Sequence, residues 1–147
     1  MTTSEKFIDA TQRQMLPLPG FTPATEEFWF AAGRGELVVQ QCDSCKAHRS
    51  PINAACYNCM STDWHWAKVS GTGTVYSFTW ADFPPPPDGD RNISVIELDG
   101  TEGPDAVRLL GWVSDIERDN LVCDLPVEVS FERVDDEVSV PVWKPRS

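Results

Sequence analysis

The chain has 147 residues, of which 12 are Lys or Arg and 23 are Asp or Glu, giving a formal net charge of -11. That length suffices for one ordinary domain, or for a small metal-held module beside a compact second unit, the arrangement favoured here. The acidic balance argues against a nucleic-acid partner, because such binding draws most of its free energy from Lys and Arg neutralising phosphates.

The opening residues lack the long apolar stretch of a signal peptide, and no apolar run approaches the roughly 20 residues of a membrane-spanning helix. A soluble, cytoplasmic protein with no membrane association is expected. Residues 1–35 read as a helical segment. Phe7, Ile8, Thr11, Met15 and Leu16 fall on one stripe that Pro17, Pro19 and Gly20 terminate. A second helix follows, with Thr22 as its cap, Pro23 in its first turn, Glu26 and Glu27 complementing its dipole, and Gly33 and Gly35 closing it. Phe28, Trp29 and Phe30 crowd that short helix with more aromatic surface than its own turns can cover, so its apolar face must pack elsewhere.

Residues 36–69 contain two C-x-x-C pairs, Cys42 with Cys45 and Cys56 with Cys59. Each such turn aims two sulfurs at one point, and two turns facing each other supply a closed tetrahedral set of thiolates for zinc. Iron is the rival metal for the same cage. With all four positions filled by protein, the site is structural rather than catalytic. Small polar neighbours such as Asp43, Ser44, Asn58 and Ser61 suit the turns and can hydrogen-bond the sulfurs. Lys46 and Met60 stand where zinc ribbons often place glycine. The strand-like segments 37–41 and 64–68 flank the pairs, and alternation puts Trp64 and Trp66 on one face as an apolar roof. His48 and His65 border the region but are not needed as ligands.

From residue 70 to 147 the period changes to two, with strands expected at 72–82, 93–99, 107–114, 127–134 and 138–143. Five short strands predict a small closed barrel of the OB type, with an SH3-like barrel as the alternative. The fold class is therefore mainly β: N-terminal helices, a zinc ribbon, then a five-stranded OB-type barrel. Gly71 and Gly73 permit the bend or bulge that closure requires, and Pro126 fits a strand start. Pro84, Pro85, Pro86 and Pro87 form a stiff polyproline projection between the first two strands, equally suited to a spacer or a partner-docking arm. Trp112 is expected in the core, whereas Trp80 suits core and ligand face equally. Cys123, in the apolar run from Leu121, is expected to be a buried small hydrophobe. Asp135, Asp136 and Glu137 mark a hairpin turn.

Taken in order, the aromatic pair Phe28 and Trp29, the entry from Gly35 to Cys42, the two C-x-x-C pairs, the Ser70 to Phe78 segment, the run from Val95 to Asp99 and the ending from Pro126 to Glu132 resemble a known family. It is the acyl-CoA-associated family that pairs a rubredoxin-like zinc ribbon with an OB-fold, and the resemblance covers about residues 22–145. It implies a non-catalytic accessory subunit of thiolase-like acyltransferases, or of the related aldolases that cleave steroid side-chain CoA thioesters. Metal ligation then falls on Cys42, Cys45, Cys56 and Cys59, and a CoA thioester is a possible ligand of the complex. Independently of the resemblance, no Ser-His-Asp or Cys-His pairing is suggested by spacing, and Gly71 to Gly73 precedes a strand rather than the helix of a phosphate loop. An iron electron carrier and a single-stranded nucleic-acid binder remain the alternative readings. Phe28, Trp29 and the four prolines are the expected partner surface, and Trp80 the expected ligand contact.

Overall fold

In the computed structural model the described residues are 25–50, 53–81, 91–134, 136 and 138–147. The expected helix over Phe7 to Leu16, the cap at Thr22 and Pro23, and the proline projection at Pro84 to Pro87 lie outside them. The first described element is helix α1 (Glu26–Gly33), which carries Glu26 and Glu27 in its first turn as expected. It ends where Gly35 turns left-handed at φ 78, and the backbone N–H of Glu36 reaches back to the carbonyl of Ala31 at 2.9 Å. Ala31 and Ala32 are buried. Small side chains there let the helix backbone approach the sheet, where it meets the ribbon and the last two barrel strands.

The ribbon is a three-stranded antiparallel sheet with β1 (Val38–Cys42) at its centre. The two-residue β2 (His48–Arg49) lies on one side and β3 (Trp64–Lys68) on the other. Trp64 and Trp66 share one face as expected, with ring centroids 5.1 Å apart and near-perpendicular planes.

A five-stranded sheet follows: β4 (Thr72–Ala81), β5 (Arg91–Leu98), β6 (Arg108–Gly111), β7 (Pro126–Arg133) and β8 (Ser139–Pro145). Its spatial order is β6-β5-β4-β7-β8, with every ladder antiparallel. The sheet curls until its two ends meet. A parallel bridge joins Val113 to Trp143, supported by Ser114 N–H to the Trp143 carbonyl at 2.7 Å and Trp143 N–H to the Trp112 carbonyl at 3.0 Å. That order and that parallel closure are the OB arrangement.

Curling needs local departures from a flat ladder. The register of β4 against β5 shifts between Val75 and Ser77, so the bulge falls at Tyr76 rather than at the two glycines. The glycines serve close approach instead. A Cβ on Gly73 would sit 2.4 Å from the Glu97 carbonyl oxygen, and Gly71 has φ 79 with a Val129 methyl 2.6 Å from where its Cβ would be. Pro126 opens β7, as expected of a residue that cannot donate to a ladder.

One apolar cluster unites the two units. Leu37 and Val39, from the ribbon side, are buried with Val75, Ile96, Leu98, Leu109, Val113, Val127 and Trp143 of the barrel. Trp143 is the fully buried tryptophan, while Trp112 is half-buried with the Arg91 guanidinium 5.2 Å from its ring centroid. The expectation of Trp112 in the core is thus corrected, because closure places Trp143 inside and leaves Trp112 at the seam. Cys123 is exposed, not buried. Leu121 fills the core, and the chain then turns through left-handed Asp124, so the thiol faces outward.

The seam also carries a buried polar clamp. The Asn92 side-chain amide donates to the Val113 carbonyl at 2.8 Å, and its oxygen accepts from the Val113 N–H at 2.9 Å and from the Ser94 hydroxyl at 2.7 Å. Asn92 thereby mimics a strand where the sheet ends meet. Removing it leaves Val113 with buried, unpaired backbone groups at about 1–3 kcal/mol each. Asn92→Ala should therefore lower the unfolding free energy by several kcal/mol, read as a lower urea midpoint at unchanged m, and an unchanged midpoint would show that the clamp is dispensable.

Candidate metal centre

The two C-x-x-C turns fold the same way. Lys46 N–H bonds the Cys42 carbonyl at 3.1 Å and Met60 N–H the Cys56 carbonyl at 2.9 Å. One step further, Cys42 N–H bonds the Ala47 carbonyl and Cys56 N–H the Ser61 carbonyl, at 2.9 and 2.8 Å. Each loop must turn left-handed after its second cysteine. Lys46 and Met60 do so at φ 66 and 65, a conformation that costs a non-glycine residue about 1 kcal/mol or more.

The result brings Cys42, Cys45, Cys56 and Cys59 together with all four sulfurs within 4.8 Å of one another. Cys42 and Cys59 sulfurs are 3.6 Å apart, as are those of Cys45 and Cys56. A tetrahedral ion with metal–sulfur bonds of about 2.3 Å requires edges of about 3.8 Å, so the cage fits such an ion with little adjustment.

Electrostatics points the same way. The Asn58 side chain and then the Ala47 N–H stabilise the Cys45 thiolate and draw its pKa down to about 6. Cys42 is also lowered, chiefly by the Cys45 N–H, against the opposing effect of burial. At Cys59 the Ser61 N–H favours the thiolate, but desolvation and the three neighbouring sulfurs outweigh it and push the pKa up to about 11. Four converging sulfurs can all ionise only with a cation between them.

Neither histidine joins the cage. His65 is held between Asp43, 2.5 Å from its Nδ1, and Gln41, 3.1 Å from its Nε2. The Nδ1 of His48 accepts from the Glu102 backbone N–H at 2.7 Å, and the His48 backbone N–H donates to the Glu102 carbonyl at 2.7 Å. Burial lowers the His48 pKa despite the opposing pull of Glu102, which keeps the ring a neutral acceptor. His48 thus straps the ribbon to the loop between β5 and β6. Nothing in the cysteine spacing signals that strap, because its partner lies 54 residues away.

The other expected contact residues are scattered. Phe28 packs partly against the chain's own barrel core, and Trp29 meets it edge-on at 5.0 Å between centroids, half-buried. Trp80 packs partly against the same core and carries the Arg118 guanidinium 4.9 Å from its ring centroid. No helix among the described residues is long and apolar enough to cross a membrane.

A cysteine-caged ribbon whose inner strand completes the core of an OB barrel defines a two-unit, metal-ribbon-plus-OB protein. Residues 29–65 match the family model of the ChsH2 rubredoxin-like zinc ribbon domain, and residues 66–132 that of the ChsH2 C-terminal OB-fold domain. The chain is similar to a solved chain described as "Ltp2-ChsH2(DUF35) aldolase", with 32% identity and a TM-score of 0.72, covering 86% of this chain and 98% of that one. It also matches the "Probable enoyl-CoA hydratase alpha subunit" of Thermomonospora curvata, 36% identical over 119 residues, 80% of this chain. The chain spans only 36% of that relative's length. A DUF35-family protein of unknown function from Sulfolobus solfataricus shares the fold at a TM-score of 0.61 and 15% identity, over 88% of this chain and 90% of that one. The chain belongs to the ChsH2 family of zinc-ribbon and OB-fold proteins.

Two tests address the cage. Cys56→Ser should abolish metal binding and unfold the ribbon, because metal ligation supplies on the order of 10 kcal/mol in comparable small modules; a normally folded variant with full metal stoichiometry would contradict this. Zinc titration near neutral pH should release protons, seen with an indicator dye, since Cys59 is protonated there until metal arrives. Affinity should weaken as pH falls through about 6, where Cys45 also takes up a proton. Zinc uptake without proton release would argue against four-thiolate ligation.

Proposed function

We propose that this chain is a non-catalytic accessory subunit that binds and steadies a thiolase-like acyltransferase or aldolase acting on acyl-CoA thioesters. Steroid side-chain CoA esters are the partner's proposed substrate class. The observation that carries the reading is the likeness over 98% of a chain described as part of an Ltp2-ChsH2 aldolase. The hydratase-named relative agrees on CoA thioester chemistry, although that name belongs to a much longer protein.

In this reading the ion is zinc, held by Cys42, Cys45, Cys56 and Cys59, with a structural role. The division into a helical segment (1–35), a ribbon (36–69) and a barrel (70–147) assigns rigidity to the ribbon and partner contact to the helix and the barrel loops. Trp29 is the leading docking residue, since Phe28 is partly committed to the chain's own core, and Pro84, Pro85, Pro86 and Pro87 form the second docking element. Trp80 is the proposed point of ligand contact, and CoA binding or substrate transfer would be assisted at the complex rather than by this chain alone. A cytoplasmic location suits thiols that must stay reduced.

The reading predicts that the chain co-purifies with a larger enzyme whose activity or solubility falls when this chain is omitted. A fully active, soluble enzyme without it would overturn the proposal. Trp29→Ala should leave the isolated chain folded by circular dichroism and weaken capture of the partner; loss of the fold would make Trp29 a core residue instead. Metal analysis separates the electron-carrier alternative, since iron in this cage would give visible absorption and a reversible one-electron wave, and zinc neither.

A further inference from the structure

The four cysteines of the cage differ in their surroundings. Cys42 and Cys56 are fully buried, Cys45 is half-buried and Cys59 is exposed. The hydrogen bonds that their sulfurs accept differ as well. Cys42 takes the backbone N–H groups of Cys45 and Ser44, and Cys45 takes the Asn58 side chain and the Ala47 N–H. Cys56 has the Asn58 backbone N–H at 3.4 Å, and Cys59 has the Ser61 N–H.

In a loaded cage all four sulfurs are thiolates, so the ionised fraction no longer separates them. Access and intrinsic nucleophilicity then decide which reacts, and a donor that stabilises a thiolate makes it a poorer nucleophile. Both sulfurs of the first C-x-x-C turn accept two amide hydrogen bonds. In the second turn Cys56 is sealed and Cys59 lies at the surface. A second sulfur is within reach of it, since Cys42 lies 3.6 Å away across the cage.

We propose that Cys59 is the oxidant-sensitive thiolate of the cage, taken by a peroxide-class oxidant to a disulfide with Cys42 that frees the ion. The Cys59 thiolate attacks one peroxide oxygen, so that an S–O bond forms as the O–O bond breaks and the departing hydroxide is protonated to water. The Cys42 thiolate then attacks the Cys59 sulfur. An S–S bond forms, the S–O bond breaks, and the oxygen leaves as a second water after protonation. The two sulfurs together lose two electrons and the peroxide gains them. With two of four ligands gone the cage no longer holds its ion, and the end of β1 at Cys42 loses its anchor. The inference rests on the reading of that ion as zinc, which has no redox chemistry of its own to intercept the oxidant.

The test uses the full chain reconstituted with zinc and carrying Cys123→Ser, which removes the exposed thiol outside the cage. Metal analysis precedes oxidation. A folded chain that takes up no zinc would overturn the cage reading and the proposal with it, whereas a loaded chain that fails the following steps overturns the proposal alone. Hydrogen peroxide should release zinc to a chromogenic chelator in step with disulfide formation, and peptide mass spectrometry should place the first disulfide between Cys42 and Cys59. Sub-stoichiometric iodoacetamide should alkylate Cys59 several-fold faster than the other three ligands. Cys59→His, which offers imidazole in place of the thiolate, should bind zinc and release it several-fold more slowly under peroxide, while Cys45→His should release it at the parent rate. If either variant binds no zinc, the order of alkylation in the parent chain decides. Even alkylation of the four ligands, first alkylation at Cys45, a first disulfide between Cys45 and Cys56, equal release rates in the two variants, or zinc retained under peroxide would overturn the proposal.

Discussion

Four sulfurs held within 4.8 Å of one another are the constraint on which the rest of the molecule depends. The first of them, Cys42, is the last residue of the central ribbon strand, and two other residues of that stretch, Leu37 and Val39, lie in the barrel core. Fixing the sulfur therefore fixes the strand that finishes the barrel's apolar interior. The same loop delivers His48 to Glu102 and so ties the far side of the ribbon to the β5–β6 connection. A small ribbon has too little apolar area to hold its own shape. Here it draws on metal ligation at one end and a borrowed core at the other.

Barrel closure is the second device, and it is polar at its margin and apolar at its centre. Trp143 fills the space where the first and last strands of the curled sheet meet, and Asn92 bonds the backbone of Val113 just beside it. Gly111 lies against the same indole, with a Cβ position only 3.1 Å from the Trp143 ring. A side chain there would require the indole to give by a few tenths of an ångström. Closure of this kind protects the sheet's ends without a long parallel ladder.

The parts legible in the sequence are those encoded locally. C-x-x-C spacing specifies ligands within one turn, so the cage could be read from four cysteines. Alternation in the last 78 residues gave the five barrel strands within a few residues of their observed ends, since one face of each strand is buried. The left-handed turns at Lys46 and Met60 fall at the positions where ribbons often place glycine. The misses involve tertiary choices. The two-residue β2 is too short for any periodicity. Cys123 sits in an apolar run, yet the turn at Asp124 carries it outward, and the choice of Trp143 over Trp112 for the core is made only when the sheet closes.

X-ray absorption at the metal edge of the purified chain reports the ligands of the cage themselves. A zinc edge with four sulfur scatterers at about 2.3 Å and no bound nitrogen or oxygen is expected. A shell containing imidazole or water, or cysteines found as disulfides in a folded, metal-free chain, would contradict it.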